Sequence, residues 1–369
     1  MAFWNKQKNS KYNSIVVAAI QGESVYAIRG YRSHEEHVIK IQGSQVFSTE
    51  NIGQLPVLFK EKLNWCEGEA VYFAKESPLL FGKAFPVSVP RFEEGHPMIL
   101  DSREVTHRLK WQAADLAREE AANFFGCTLD EIGTRGVSVE KWHESAQEIR
   151  ATLFQTCMPR WQSDQNDFVI PDGSREFVLP IILAQEVGNG DDSEAILHTE
   201  YDGTFLAIRK NNILEHFRSF NLGISTARNH LQNNFQCSAG EAEVLMKNIF
   251  GEKLSKETRK VTLRVLRQLL PLWAGMFTVG VEGIPQELMP RKLMVTGLFS
   301  NMVARVYCRP QLVSRWSHLP VKLTTLSGES DSQSYFAALK MALKKLTRES
   351  VDVKIPTAIN FGLSSDVLV

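Results

Sequence analysis

The sequence predicts a mixed αβ protein of two αβ units, with a small strand-helix-strand-strand unit inserted in the first. Three observations predict this class. Residues 14–47 are typical of consecutive strands, residues 84–160 give strand, helix, strand and strand in turn, and the chain becomes mostly helical after Gly223. Strands and long helices alternate within the same units, which argues against both a plain helical bundle and a β-sandwich.

Composition limits the classes of function. The 369 residues carry 42 Lys and Arg against 42 Asp and Glu, so no net charge attracts nucleic acid or an anionic membrane. The five cysteines include no C-x-x-C, which favours a reducing compartment over zinc or disulfides. The longest apolar run, LLPLWAGMFTVGV, is shorter than the ~20 residues of a membrane-spanning helix. We therefore expect a soluble cytoplasmic protein.

The first unit opens with strands. SIVVAAI is an apolar run, SVYAIRGY follows a turn, and HVIKIQGSQVF alternates with period two, so the three predict an antiparallel meander. EAVYFA, residues 69–74, predicts a further buried strand.

The inserted unit begins with the strand KAFPVSV. A long helix follows, capped by Asp101 or Ser102 and ended by Gly126. RGVSVEKW and EIRATLFQTC then alternate as strands. The predicted apolar face of the helix consists of Val105, Leu109, Leu116 and Phe124.

The remaining chain completes the second unit. EFVLPIILA, residues 176–184, and the stretch 194–220 are interpreted as strands, with RKNN supplying a turn at residues 209–212. Ser238 and Glu241 form a capping box for one helix, and Pro271 kinks or ends the next. KLMVTG and LPVKLTTL predict short strands, and residues 335–348 predict an amphipathic helix with a basic face. That helix is interpreted as a core helix or, alternatively, as a membrane-surface helix.

Several segments together resemble the actin-like ATPase superfamily, in the branch that holds the cell-division protein FtsA and the pilus-assembly protein PilM. They are AIQGESVYAI, AILHTEYDGTFLAIRKNNIL, SFNLGISTARNHLQNNFQCSAGEAEVLMKNIFG and LMVTGLFSN. The resemblance implies an actin-like (ribonuclease H-like) two-lobed α/β fold. Its implied limits are 14–83 with 161–200 for lobe 1, 84–160 for the inserted domain, 201–346 for lobe 2, and 347–369 for a C-terminal tail.

The resemblance also implies where a nucleotide would lie. The residues that would line its site, should one bind, are Ser24, Thr204, Gly223, Glu243, Lys247 and Gly297. For Glu243 and Lys247 an ordinary i, i+4 surface pair is an equal alternative.

The loops that would hold the nucleotide are degenerate. Ala19, His198 and Phe205 stand where the family has acidic residues, which leaves no magnesium position. Side chains replace the glycines that let the backbone approach phosphate, at Gln21, Glu200, Tyr201, Leu298 and Phe299. A carboxylate 4 Å from phosphate costs on the order of 4 kcal/mol at an effective dielectric near 20. We therefore predict no cofactor, no metal and no catalysis; the alternative is ATP with Mg and weak Mg-ATPase activity.

Smaller motifs leave alternatives open. Asp202, Gly203 and Thr204 form either a displaced D-G-T phosphate loop or, preferably, a type I′ hairpin turn. HEEH, residues 34–37, is interpreted as a polar loop rather than a metal site. His198 and His216 either meet across a hairpin or, preferably, lie separately as partly buried strand residues.

The expected function is that of a non-catalytic scaffold in a membrane-associated machine, either the divisome or type IV pilus assembly. The resemblance implies protein partners, most simply the cytoplasmic peptide of a membrane protein, and self-association through residues 84–160. No nucleic acid is expected, and the protein would lie at the inner face of the membrane only through its partners. Two other hypotheses stay open: a working ATPase with misaligned loops, and a cleft adapted to a different small ligand.

Overall fold

A computed structural model describes residues 14–33, 38–74, 79–93, 96–97, 101–162, 174–186, 193–250, 253–308, 322–325 and 331–349. HEEH and most of the C-terminal tail lie outside these residues, so their interpretations stay predictions.

The first lobe is a five-stranded sheet. Its strands are β1 (Ile15–Gln21), β2 (Ser24–Arg32), β3 (Ile39–Ser48), β4 (Ala70–Ala74) and β10 (Arg175–Glu176), in the order β10-β4-β1-β2-β3. β1, β2 and β3 form the predicted antiparallel meander, while β4 runs parallel to β1 and β10 runs parallel to β4. Helix α1 (Leu55–Leu63) buries Leu55, Phe59 and Leu63 against one face of this sheet.

The second lobe repeats this order. β11 (Glu194–Thr199), β12 (Thr204–Lys210) and β13 (Ile213–Phe220) form an antiparallel meander, with β14 (Lys292–Gly297) and β15 (Lys322–Thr325) parallel beside β11. β11 thus lies in one sheet with β12 and β13. The predicted domain limits, including the one at residue 201, stay predictions.

The inserted unit extends the sheet of the second lobe. β5 (Phe81–Pro90) pairs with β13, and β9 (Glu148–Pro159) and β8 (Ile132–Glu144) follow, which gives an eight-stranded sheet in the order β15-β14-β11-β12-β13-β5-β9-β8. A two-stranded ribbon joins β6 (Phe92–Glu93) to β7 (His96–Pro97). The predicted order of strand, helix, strand and strand is confirmed.

Helix α2 (Ser102–Phe125) covers one face of the inserted sheet. Asp101 caps its first turn, and Gly126 ends it in the left-handed conformation. The buried stripe, however, is Val105, Leu109, Ala113, Ala117 and Ala121. The prediction that Leu116 lies on the apolar face is wrong, since its side chain is 42% exposed. Alanines take the buried positions instead, and their small side chains let the helix lie close to the strands.

The other helices pack around the two sheets. They are α3 (Leu179–Glu186), α4 (Ile224–Phe235), α5 (Ala239–Asn248), α6 (Lys256–Arg267), α7 (Leu270–Val281), α8 (Ser300–Val306) and α9 (Asp331–Glu349). The capping box of α5 is confirmed, with Ser238 and Glu241 bonded reciprocally. α6 ends before Pro271, which lies in the first turn of α7. One face of α9 belongs to the main core, so the interpretation as a core helix is confirmed; its core residues are Tyr335, Ala338, Leu339, Ala342, Leu343 and Leu346.

One element was wrong. The run EFVLPIILA, residues 176–184, predicts a strand, but Leu179–Glu186 is the helix α3, and every residue from Leu179 to Ala184 is buried. A short run that is apolar on all sides has no period, so the pattern does not separate a buried strand from a buried helix.

Candidate functional site

The resemblance implies a nucleotide between the β1–β2 turn and the loop at residues 200–203, and in this chain these two loops are bonded to each other. The β1–β2 turn contains Gly22, with φ +57°. Gln21 precedes this turn, and its Oε1 accepts a hydrogen bond from the main-chain N–H of Tyr201 at 2.8 Å. Gln21 is 3% exposed. This buried bond joins the first loop directly to the second.

Tyr201, which stands at a glycine position of the resembled family, packs its side chain on the β1–β2 turn. A Cβ added at Gly22 would lie 2.9 Å from the Tyr201 ring, so the ring packs directly on the first turn. The Arg228 guanidinium lies 4.8 Å from the centroid of the same ring. Burial raises the pKa of the Tyr201 phenol, which Arg228 partly offsets. The ring and the guanidinium together cover the turn.

The second loop, residues 200–203, is held by the start of α4. The N–H groups of Ile224 and Ser225 donate to the carbonyls of Glu200 at 3.1 Å and Tyr201 at 2.8 Å. A Cβ at Gly223 would overlap the Tyr201 carbonyl, so glycine is required there by close packing. The N-terminal amides of a helix are a natural phosphate site, but here these two donate to the protein's own loop.

Asp202 and Gly203 do not form a type I′ turn. Glu200 N–H donates to the Gly203 carbonyl at 2.8 Å, yet neither Tyr201 nor Asp202 has the positive φ that a type I′ turn requires. The positive values belong to Asn211 and Asn212, φ 51° and 64°, between β12 and β13. The Asp-Gly prediction was therefore wrong, and RKNN carries the type I′ geometry.

Two predicted site residues have structural roles. Thr204 is fully buried, and its hydroxyl donates to the Leu222 carbonyl. Gly297 has φ +93°, and a Cβ there would overlap the Thr199 carbonyl. Leu298 N–H donates to that same carbonyl at 2.8 Å. Leu298 is 5% exposed and Phe299 is 6% exposed, so the residues that replace glycines in the adenosine loop belong to the core.

The remaining predicted site residues lie nearer the surface. Glu243 and Lys247 of α5 form an i, i+4 pair at 3.6 Å, and Arg228 lies 3.8 Å from Glu243. Lys247 lies 6.0 Å from the centroid of the Phe299 ring. Ser24 opens β2 opposite Gln21 across the turn and is half-buried. The charged side chains of Arg228, Glu243 and Lys247 thus connect α4 and α5 with the adenosine loop.

A buried His–Glu pair lies below the second loop. His198 and Glu200 are 1% and 2% exposed, with His198 Nε2 3.6 Å from Glu200 Oε1. His198 Nδ1 lies 2.7 Å from the Thr296 hydroxyl. The Glu200 carboxylate, expected to face a phosphate, is therefore buried against a histidine.

His198 and His216 do not meet. They lie on β11 and β13, on opposite sides of β12. His216 is buried, and burial, together with Arg218 and Lys83, lowers its pKa to about 3. The preferred interpretation of separate strand histidines is confirmed, but both side chains are fully buried rather than partly buried. No group of three His, Cys, Asp or Glu residues is placed to hold a metal within the part of the chain that the structure describes.

Sequence reasoning missed Arg228 and the bridging role of Gln21. Gln21 was identified only as a replacement for glycine, because the sequence gives no sign of which main-chain N–H its amide accepts from. Arg228 lies on the helix α4, and no sequence motif marks its position. Neither contact has a local sequence signal, since both join segments far apart in the chain.

No protein-family model matches the sequence, and no curated protein matches it. The structure is similar to a chain of the PilM–PilN type IV pilus biogenesis complex, with a TM-score of 0.60 and 11% identity. The match covers 90% of this chain and 98% of the chain in that complex. The protein therefore has the actin-like ATPase fold, and the predicted resemblance to the PilM branch is confirmed as a likeness of fold.

Two further similarities are weaker. The ethanolamine utilization protein EutJ of Carboxydothermus hydrogenoformans matches at TM-score 0.44 and 10% identity, over 90% of each chain. MreB5 of Spiroplasma citri bound to AMPPNP matches at TM-score 0.44 and 11% identity, over 93% of this chain and 99% of that one. Within the described residues, no helix is long and apolar enough to cross a membrane.

Proposed function

We propose that this protein is a non-catalytic scaffold that uses an actin-like fold to bind a partner's peptide in a membrane-associated machine. The carrying observation is the closed cleft. The Gln21–Tyr201 hydrogen bond joins the two loops that would hold phosphates, and the Tyr201 ring packs on Gly22. A nucleotide would have to break this bond and displace the ring without a magnesium ligand to compensate.

The machine is inferred from the resemblance. PilM is found in a type IV pilus biogenesis complex with PilN, and FtsA belongs to cell division. We propose that this protein serves one of these two kinds of assembly, in the cytoplasm at the inner face of the membrane. It would reach the membrane through the cytoplasmic peptide of a membrane protein.

The inserted unit supplies a surface for such a peptide. A groove of 520 Å³ lies on its sheet, and the lining residues are Pro86, Val87, Ser88, Lys141, His143, Glu148, Arg150, Ala151 and Thr152. The sheet face that points away from α2 carries Ser88, His143 and Arg150. These three residues are neighbours on adjacent strands, because Arg150 pairs with Ser88 on one side and with His143 on the other. An extended peptide would meet both polar and apolar side chains there.

Thermal unfolding with and without millimolar Mg-ATP tests the closed cleft. A ligand at 100 times its Kd stabilises by about 2.7 kcal/mol, and each kcal/mol raises Tm by about 2–4 °C for a domain of 150–250 residues. We expect Tm to be the same with Mg-ATP as with magnesium chloride alone. A rise of several degrees would contradict the proposal and support the ATP-binding alternative.

Site-specific photo-crosslinking in cells tests the groove. A photoreactive residue at Thr152 should give a product that mass spectrometry assigns to the cytoplasmic segment of a membrane protein. The same residue at Gly240, an exposed position on α5 with open space around it, is the control. Equal products at both positions, or none at Thr152, would place the partner elsewhere.

A further inference from the structure

The edges of the two large sheets differ in how they are protected. An exposed strand edge offers unpaired N–H and C=O groups to any other strand, and proteins blunt such edges by shortness, charge or bulges. Of the four edge strands in the described residues, β10 is two residues long and β15 is four. β8 is long, but it has two bulges and carries Arg135, Glu140, Lys141 and Glu144.

β3 has almost none of these protections. It is ten residues long and carries one charged residue, the exposed Lys40 near its start. IQGSQVFS, residues 41–48, contains no charged residue and no proline. It has one register shift, opposite Arg29 and Gly30. Within the residues that the structure describes, no strand pairs with the outer side of β3.

The side chains along this edge are exposed and apolar in two places. Ile41 is 43% exposed and Val46 is 37% exposed. Ile41 pairs with Gly30 and Val46 with Tyr26, and both partners face α9, where Gly30 lies against Leu343 and Tyr26 against Tyr335. The register shift thus places Ile41 and Val46 on the same face of the sheet, five positions apart in sequence.

We propose that the β3 edge is a self-association surface, occupied by β3 of a second copy of this chain. A two-fold axis sets identical edges against each other, so the paired stretch must not bring like charges directly opposite each other. Residues 41–48 satisfy this condition, and their glutamines and serines are both donors and acceptors. The pairing would continue the five-stranded sheet into a second molecule and cover Ile41 and Val46.

This surface differs from the inserted unit that the resemblance implied, and the inference does not depend on the proposed function. β8, the edge strand of the inserted unit, carries the charges and bulges that oppose edge pairing. A dimer through β3 would leave the groove of the inserted unit open on both copies, so that one assembly presents two peptide sites.

Sedimentation velocity over a wide concentration range tests the proposal. The wild-type chain should form a dimer that dissociates on dilution. Ile41→Lys and Val46→Lys place cations on the edge and should shift the dimer constant at least tenfold toward monomer. Val244→Lys makes the same change at an exposed valine of α5, and Trp142→Lys changes an exposed residue of β8; both should dimerise as the wild type does.

The variants separate the outcomes. Far-ultraviolet circular dichroism establishes that each variant is folded, and exposed sites make this the expected result. A monomeric wild type at all concentrations would overturn the proposal. So would a dimer that survives both β3 changes, or one that Trp142→Lys dissociates. Because neither Mg-ATP nor the crosslinked partner enters this measurement, its failure would leave the proposed function standing.

Discussion

Gly223 lets the start of α4 pack closely against the loop at residues 200–203. A Cβ there would overlap main-chain atoms of Tyr201, Asp202 and Gly203, which cannot yield as a flexible side chain can. We expect Gly223→Ala to lower the free energy of unfolding by about 3 kcal/mol, measured by urea denaturation. Gly240→Ala, where nothing lies within 4 Å, is the control and should be neutral or stabilise by about 0.5 kcal/mol. Equal effects would show that the second loop does not pack against α4.

His216 gives a residue-scale prediction for pH. Burial, with the cations of Arg218 and Lys83, lowers its pKa from 6.5 to about 3. Below pH 6.5 the unfolded chain therefore binds a proton that the folded protein does not, so stability is complete above that pH and falls as pH drops toward 3. The loss from pH 6.5 to 5 should be about 2 kcal/mol.

A variant isolates this contribution. His216→Leu should remove that part of the pH dependence, whereas His107→Asn, at an exposed position of α2, should leave the curve unchanged. Urea denaturation at several pH values measures both. An unchanged slope in His216→Leu would mean that another group carries the acid sensitivity.

At the scale of elements, the corrected face of α2 makes a prediction about the inserted unit. Ala117 is fully buried against the sheet, whereas Leu116 is 42% exposed. Ala117→Leu should destabilise by about 1–3 kcal/mol through overpacking, and Leu116→Ala should cost well under 1 kcal/mol. Hydrogen exchange should report faster exchange within residues 81–159 in Ala117→Leu, since that unit has its own core cluster. Exchange that rises equally in both lobes would contradict a separate core.

The same scale shows what the sequence predicts well. Periodic or capped elements were correct: β3, predicted from the alternation in HVIKIQGSQVF, the Asp101–Gly126 helix and the Ser238 capping box each carry a local physical signal. α3 was wrong because a uniformly apolar run has no period. The Asp-Gly turn was wrong because α4 and the Tyr201 contacts set the backbone of that loop. For the candidate site, sequence located the degenerate loops but not the Gln21–Tyr201 bond, which joins residues 180 positions apart.

At the scale of the whole molecule, one core joins the two lobes. The largest cluster contains Val17 and Ile28 from the first sheet and Leu197 and Val295 from the second, together with Leu343 of α9. α9 packs against β1, β2, β14 and α3, so a single helix contacts strands of both sheets. This shared core, together with the Gln21–Tyr201 hydrogen bond, favours one rigid body.

We therefore expect the lobes to unfold together. Differential scanning calorimetry should give one transition for them, with the calorimetric and van't Hoff enthalpies equal. Leu343→Ala removes a fully buried side chain that touches Gly30 of the first sheet, so it should lower stability by about 3 kcal/mol and shift this transition without splitting it. Lys340→Ala, at an exposed position of the same helix, should leave Tm unchanged. Separate transitions of the two lobes would mean that α9 and the Gln21–Tyr201 bond do not couple them, and a cleft able to open would again be available to a ligand.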